Sequence, residues 1–575
     1  QDAPSPPETP VAEPDGDGSD TSSKPEAEAQ AVPEPAAAPV PADPPASPTP
    51  PRTKPRTAFS LDFTESLIAD VHLKLQGAED DGTIVDLRNR LNARLRYGKW
   101  TLGVRLDTAW FPVKPSSALF GDDLVNLQEV FVKRRFGKLS MGLGDDYVSF
   151  GRGMALSLRK VDELGFDVTL RGGHVQWKSR LFSARAHVGL TNVTNVDGVD
   201  EKKVPDPLDL VTAIRLEARP LQSLLRGFRV GAHVVDVERR HSQALEALSP
   251  IVPGGIDQSS SWSFGDKFIR SVVAGGSIEA PRIAKTVGLY AEANVLQNTN
   301  TRVNGDGNSS GLAIYGSATT YLGPVTVLAE AKHYENYDLR STLHPDTANA
   351  TGSISKDFTY IAPPTLERKD QRWANNSSVD GAHLQVDARL PDGGGRVFVS
   401  GAGFQHGPQR EEITAHVYGG WEGSSSKGNR LVAQAGWRTD RHPGDDQTRL
   451  RMFHLDLDAY LLVAAGHDLQ LHWAHEFRST DLELESQRDD YMEGTSYITW
   501  TIAPSWSITA QFEYLTSKKE DNPIFPGGYL QYRFTRDSFI RLFAGRGKGG
   551  LKCSGGVCRI FPDFEGARLE ATARF

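Results

Sequence analysis

Cysteine, methionine and long apolar runs are the scarce features of this chain. Two cysteines and four methionines occur in 575 residues, and nowhere do 18 apolar residues follow one another. A membrane-spanning helix needs about 20 such residues, so transmembrane helices are excluded. The only thiols, Cys553 and Cys558, lie in Cys-Ser-Gly-Gly-Val-Cys. Two thiols make a poor structural zinc site, which takes four ligands, and no metal or cofactor is expected. Their spacing, with glycines between, fits a small disulfide ring in an oxidising compartment. Basic residues are not in excess either: 64 Lys and Arg against 73 Asp and Glu give a net charge of -9. Nucleic-acid binding is therefore not expected. A basic, apolar leader is also missing, and Gln1 reads as a mature N-terminus left after signal removal.

What the chain has, from Thr57 onward, is alternation. In the closing stretch Ala567, Leu569, Ala571, Ala573 and Phe575 share one strand face, while Arg568, Glu570, Thr572 and Arg574 share the other. Leu87, Leu91, Ala93, Leu95 and Tyr97 likewise oppose Asp86, Arg88, Arg90, Asn92, Arg94 and Arg96. After Gly98-Lys99 the pattern resumes, with Trp100, Leu102, Val104, Leu106 and Trp110 against Thr101, Arg105 and Asp107. It recurs at 182–190 and 506–514. Period two is the strand signal, and strands of about ten to fourteen residues suit a tilted membrane crossing. Averaged hydropathy hides such strands, because their oily residues are spread over every second position.

Loop lengths discriminate further. Alternate connections are short, at Gly98-Lys99, Gly137-Lys138, Ser179-Arg180, Gly323-Pro324, Gly466-His467, Ala503 to Ser505 and Thr535-Arg536. Those between are generally longer, at 112–123, 150–166, 193–207, 240–265, 299–309, 339–377, 480–488 and 549–563. Short turns on one rim and long loops on the other predict an all-β fold, a transmembrane antiparallel up-and-down β-barrel over 57–575. The tally is about 24 strands, in a range of about 20–26. Parity puts both ends of the chain on the short-turn, periplasmic rim and the long loops outside. Aromatics near strand ends, such as Tyr97, Trp100, Trp110 and Trp506, fit interfacial girdles.

Residues 1–56 are Pro, Ala, Glu, Asp, Ser and Thr with almost nothing to bury. They predict a disordered tether stiffened toward polyproline II, with a reach on the order of 170 Å at ~3.1 Å per residue. It serves either as a spacer or to dock a periplasmic protein or the cell wall.

On the predicted inner face stand Arg88, Arg90, Arg94, Arg96, Arg105, Asp107, Arg185, Arg215, Glu217, His454, Asp456, Asp458, His472, Glu476, Arg541, Arg568, Glu570 and Arg574. On a lipid face each such charge would cost roughly 2–4 kcal/mol near the midplane, so they must line water or one another. Two readings stay open: a mixed-charge hydrated wall, or an arginine ladder on the second strand that favours anions. The stretch 147–167 breaks the alternation with glycines 151, 153 and 165 and with Arg152, Arg159, Lys160, Asp162, Glu163 and Asp167. It is either an ordinary surface loop or a segment that folds inward, pairs with the wall and narrows the lumen.

The closing strand resembles the terminal strand of bacterial outer-membrane β-barrels, where such an ending is an insertion signal, here Phe575. That resemblance implies outer-membrane lipid and lipopolysaccharide as surroundings and the barrel assembly machinery as a partner. The Phe-Gly-x-Gly-x-x-Leu-x-x-Arg-like pattern at 150–159, Leu164-Gly-Phe-Asp, and the segment from Cys553 to Leu569 are similar to an uncharacterised exported β-barrel family, DUF6029. The likeness implies architecture over about 57–575 and carries no activity.

Enzymatic readings are weak. No histidine stands in a recognisable Ser/His/Asp spacing, and Gly151-Arg-Gly lacks the Lys-Ser/Thr and helix of a phosphate loop. The Asn304-Gly-Asp-Gly-Asn308 stretch lacks the closing bidentate Glu of a calcium loop. The expectation is a non-enzymatic, porin-like channel for hydrophilic solutes. The alternative is a non-conducting scaffold or export component of a secretion, motility or polysaccharide machine, held to a periplasmic partner by the tether.

Overall fold

Alternating segments leave two unlike faces on every strand, and such strands are satisfied only where one face meets oil and the other meets water or polar groups. The computed structural model resolves this by closing one sheet on itself. It describes residues 59–575 except 74–82, 114–123, 162–165, 192–193, 197–202, 206–208, 221–224, 226, 240–261, 265–269, 300–307, 338, 346–353, 358, 360–377, 408–409, 426–427, 443–446, 482–487, 519–522, 555–556 and 562. The tether at 1–56 and the 304–308 stretch, apart from Asn308, thus lie outside the described residues.

Twenty-four antiparallel strands form the barrel. The first half comprises β1 (Phe59–His72), β2 (Ile84–Tyr97), β3 (Trp100–Val113), β4 (Leu124–Phe136), β5 (Leu139–Asp146), β6 (Leu170–Lys178), β7 (Phe182–Thr191), β8 (Asp209–Ala218), β9 (Arg229–Arg239), β10 (Arg270–Ile283), β11 (Val287–Thr299) and β12 (Ser309–Leu322). The second comprises β13 (Val325–Glu335), β14 (Val379–Arg389), β15 (Arg396–His406), β16 (Glu412–Ser424), β17 (Arg430–His442), β18 (Gln447–Ala464), β19 (His467–Asp481), β20 (Arg488–Ile502), β21 (Trp506–Leu515), β22 (Ile524–Thr535), β23 (Ser538–Gly547) and β24 (Phe564–Arg574). Each pairs with its neighbour in sequence, and β24 returns to β1 with Thr64 opposite Arg574 and His72 opposite Gly566. Phe575 extends that seam, exchanging backbone hydrogen bonds with Phe63 at 2.9 and 3.2 Å. Among the described residues no helix is long and apolar enough to cross a membrane.

The start of β1 and the end of β24 lie on the same rim as the two-residue turn 98–99, since Phe59 faces Tyr97. Alternation of loop length is looser than the sequence reading has it. On the opposite rim β15 and β16 are joined across 407–411 alone, while on the short-turn rim β8 and β9 are ten residues apart. The last long loop carries a small hairpin that sets Cys553 opposite Cys558 in backbone register. Their side chains lie outside the described residues, and beyond this register the structure lends the expected disulfide no support.

The outward faces are apolar and exposed: Leu102, Val188, Leu216, Val295, Leu384, Val399, Val417 and Ile498 are each at least 40 % accessible. Inward positions on the same strands are Arg105, His187, Arg215, Asn294, Gln385, Ser400, His416 and Thr499. The closing seam is held by charge as well as by its ladder. Asp70 is fully buried and takes a two-pronged grip from Arg568, Nε to Oδ1 at 2.7 Å and Nη2 to Oδ2 at 2.9 Å, with Arg88 as its second partner. Bidentate arginine–carboxylate pairs are among the stronger polar contacts.

Two outcomes follow for refolded protein in liposomes, read by urea unfolding. Leu384→Arg, on the oily face in mid-strand, should cost about 2–4 kcal/mol, whereas Gln385→Lys, one residue on and facing inward beside Asp387, should cost under about 1 kcal/mol. Equal costs would refute the assignment of faces. Asp70→Ala should cost about 2–3 kcal/mol, because it removes the carboxylate that Arg568 grips through two hydrogen bonds in the seam; an unchanged midpoint would show the ladder alone sufficing.

Candidate functional site: the inner wall and an inserted segment

Between β5 and β6 the chain does not stay at the rim. Residues 148–150 and 156–158 pair as a short hairpin, turned by Gly151 at φ 63° and Gly153 at φ 90°, with the Gly153 amide donating to the Phe150 carbonyl at 2.9 Å. Phe150, Met154, Ala155, Leu156, Leu158 and Val168 are at most 2 % exposed. They form one apolar cluster with Val211, Ala213, Val235, Val237, Val273, Leu296 and Ala313, which come from β8 to β12. The segment thus lies inside the barrel, seated on one arc of the wall by ordinary hydrophobic burial.

Its root is clamped by charge. The Tyr147 hydroxyl lies 2.7 Å from Glu129 Oε1 and 2.9 Å from Asp167 Oδ1, its one proton shared between the two. Arg105 reaches Asp167 Oδ2 at 2.6 Å and grips Asp107 through Nε at 3.0 Å and Nη2 at 2.9 Å. A second attachment holds the tip. The Arg152 amide donates to Glu292 Oε2 at 3.1 Å and its guanidinium to the Tyr315 hydroxyl at 3.0 Å, while lying 4.1 Å above the Tyr290 ring. Tyr337 donates to the Met154 carbonyl at 2.9 Å. Glu292 is also held by Tyr290 and by Asn294 Nδ2 at 3.1 Å. Tyr315 bonds Glu330, which meets His383 Nδ1 at 2.8 Å, and His383 Nε2 meets Ser400 Oγ at 2.8 Å. This chain of polar contacts runs from the inserted tip across β11 to β15.

The other residues singled out from sequence are distributed around the wall. Arg90 lies 3.5 Å from Asp107, and Arg94 lies over Phe131 at 6.0 Å. Arg96 faces Ser60 and Thr101, and Arg185 faces Arg215, which approaches Glu217 at 3.5 Å. Asp456 takes His454 at 3.1 Å and Gln434 at 3.0 Å, and His472 meets Asp458 at 2.6 Å. Glu476 pairs with Arg478 at 2.8 Å, Arg541 with Glu570 at 3.0 Å, and Arg574 stands 3.9 Å from Asp62. Arg88, Arg90 and Arg105 all have carboxylate partners, so the arginines of β2 and β3 sit in a mixed-charge wall. Of the inserted segment, the Arg159 carbonyl accepts from the Val168 amide at 3.1 Å, and Lys160 faces Asp167 in a two-residue pairing. Asp162 and Glu163 lie outside the described residues.

Sequence reasoning missed Glu129, Tyr147, Glu292, Tyr315, Glu330 and the inward valines. A signal for the valines exists: Val234-Val235 and Val272-Val273-Ala274 put apolar residues on both faces of their strands, which a purely water-facing inner wall has no use for.

Residues 466–575 match DUF6029, a family of unknown function. The C-terminal part of this chain is DUF6029-like. That match includes the Cys553–Leu569 segment, and the 150–167 motif lies outside it. No match to a curated protein sequence was found. Similar solved structures are bacterial outer-membrane proteins. OpdO of Pseudomonas aeruginosa is 12 % identical over 67 % of this chain and 92 % of its own, with a TM-score of 0.35. The siderophore receptor PirA of the same organism is 8 % identical over 91 % of this chain and 81 % of its own, at 0.44. OccAB3 of Acinetobacter baumannii is 9 % identical over 90 % and 99 %, at 0.33. Identities and scores this low say nothing about cargo.

The seat of the inserted segment is testable by amide hydrogen exchange. Phe150→Ala removes a fully buried ring, a loss of about 3–5 kcal/mol. Exchange across 148–158 should quicken at least tenfold while β20 and β21 stay unchanged, and unaltered exchange would show that the root and tip contacts hold the segment without it.

Proposed function

We propose that the protein is a passive channel of the bacterial outer membrane for small hydrophilic solutes, with both chain ends in the periplasm. The observation that carries this reading is the inserted hairpin 148–158. It is fixed at root and tip inside a barrel whose remaining inner wall is largely polar and charged. In this reading it is the constriction, with Arg152, Arg159, Lys160 and Asp167 at the narrowing; Asp162 and Glu163, expected there from the sequence, lie outside the described residues. The inward charges from β1–β3, β7, β8, β18, β19, β23 and β24 line the water path. Mixed charge of both signs supports passage of polar solutes over strict selection of one ion sign. The surroundings would be lipid and lipopolysaccharide, insertion would pass through the barrel assembly machinery with Phe575 as part of the signal, and residues 1–56 would reach a periplasmic or cell-wall partner.

Planar-bilayer recording of the purified protein decides the matter. Steady single-channel steps are expected, and replacing residues 149–158 by a Gly-Ser-Gly link should raise the step size at least twofold. A silent bilayer together with a stoichiometric co-purifying envelope protein would replace the channel with the scaffold reading. Steps unchanged by the replacement would remove the constriction from the segment while leaving the channel.

A further inference from the structure

At the root of the inserted segment three strands bring together a group of metal-ligating side chains that no sequence motif announces. Asp146 is the last residue of β5, His174 lies in mid-β6 and His187 in β7, all facing inward. His174 and His187 stand directly opposite one another, their rings stacked at 5.4 Å with 28° between planes. Both turn Nδ1 toward the same oxygen, Asp146 Oδ2, at 3.2 Å for His174 and 3.6 Å for His187. The potential ligand atoms of the three residues all lie within 4.8 Å of one another.

Two further observations bear on this cluster. His187 is only 9 % exposed, yet its Nδ1 is buried without a hydrogen-bond partner, against the rule that buried nitrogen is paired. Gly142 opposes His174, and a Cβ there would come within 2.2 Å of His174 Cε1, so the imidazole occupies space that only a glycine leaves. The charged neighbours of the group are Arg185, two residues before His187 on the same face of β7, and Lys133, whose ammonium takes Asp146 Oδ1 at 2.7 Å and leaves Oδ2 to the histidines. The fold contains a contrasting cluster, Asp70 with His72 and Asp86. There the carboxylates are already engaged, Asp70 by Arg568 and Arg88, and Asp86 by Arg88 at 3.1 Å. Asp86 Oδ2 lies 3.6 Å from His72 Nε2, but this cluster offers one imidazole in place of two, and both oxygens of Asp70 are taken by arginines.

We propose that Asp146, His174 and His187 bind a divalent first-row transition-metal ion such as zinc. Two imidazoles and one carboxylate suit such ions, while calcium and magnesium prefer all-oxygen sets. A metal about 2.0–2.2 Å from each ligand atom requires those atoms to stand some 3–3.6 Å apart, the separation of both Nδ1 atoms from Oδ2. Three protein ligands leave a position open to water or to a donor arriving from the lumen. Tyr147 follows Asp146 directly, and the Phe150 ring meets His187 at 6.1 Å. The ion therefore ties β5, β6 and β7 together at the place where the inserted segment leaves the wall. The proposal stands on the barrel geometry and is independent of whether the lumen conducts.

The test uses the full, tag-free chain in detergent, stripped with chelator and titrated with Zn²⁺ by calorimetry and with Co²⁺ by visible absorption. One tightly held ion per chain is expected, with slowed amide exchange over 147–158 on zinc addition. His174→Ala and His187→Ala should each weaken uptake at least 100-fold while heat-modifiable gel mobility is kept; His416→Asn, on β16, should leave uptake unchanged. Absence of stoichiometric uptake, or uptake that survives the double variant His174→Ala/His187→Ala, overturns the site. Should those variants fail to fold, X-ray absorption of the zinc-loaded wild-type protein decides, since any ligand set other than two imidazoles with oxygen excludes these residues.

Discussion

Closure of the hydrogen-bond ladder is the constraint on which the remaining structure depends. A strand edge left open in hydrocarbon strands a row of amides and carbonyls at several kcal/mol each, so the sheet must end where it began. The pairing of β24 with β1 meets that demand, and it fixes which side chains point where in all 24 strands. Once the cylinder is closed, its outer positions have one solvent and its inner positions another. The inner charges are then obligatory consequences of alternation as much as they are tools of function.

Closure also creates a second problem, an interior too wide for wall side chains to fill in so large a barrel. The chain answers with the segment between β5 and β6. Its apolar residues need an apolar seat, and β8 to β12 supply one on their inner face through Val211, Val235, Val237, Val273 and Leu296. Polar anchors then define orientation: Arg105 and Tyr147 at the root, and Glu292 and Tyr315 with Arg152 at the tip. Hydrophobic burial gives the segment its adhesion and the polar contacts give it a unique pose. The inner surface is consequently uneven around its circumference, apolar under the segment and charged across β18, β19, β23 and β24.

Much of the architecture was legible in the sequence because period two and turn chemistry are local. The strand from Trp100, the turns at 98–99 and 137–138, and the parity of the closing strands need no knowledge of the fold. Loop sorting was less regular than expected because β15 and β16 meet across a tight turn closed by Arg410 at φ 55°. What lay beyond reach were partnerships across long separations. Arg152 and Tyr315 are 163 residues apart, and nothing local to either points to the other. The same holds for Asp146, His174 and His187, which have metal-ligand chemistry only once three neighbouring strands fix their register. The valines of β9 and β10 were readable in principle, since apolar residues on both faces mark a strand covered on both sides.

The grip of Arg568 on Asp70 bears on how the cylinder avoids closing wrongly. The two stand opposite one another in the seam, and Glu570 faces Ile68 one step along the same inner face. Sliding β24 by two residues in one direction keeps every oily side chain facing lipid, so the hydrophobic effect does not penalise the error. That slip sets Glu570 against Asp70, carboxylate to carboxylate, and the opposite slip offers it only Gly566. The joint therefore proofreads itself electrostatically, rejecting near-miss alignments that the bilayer would accept.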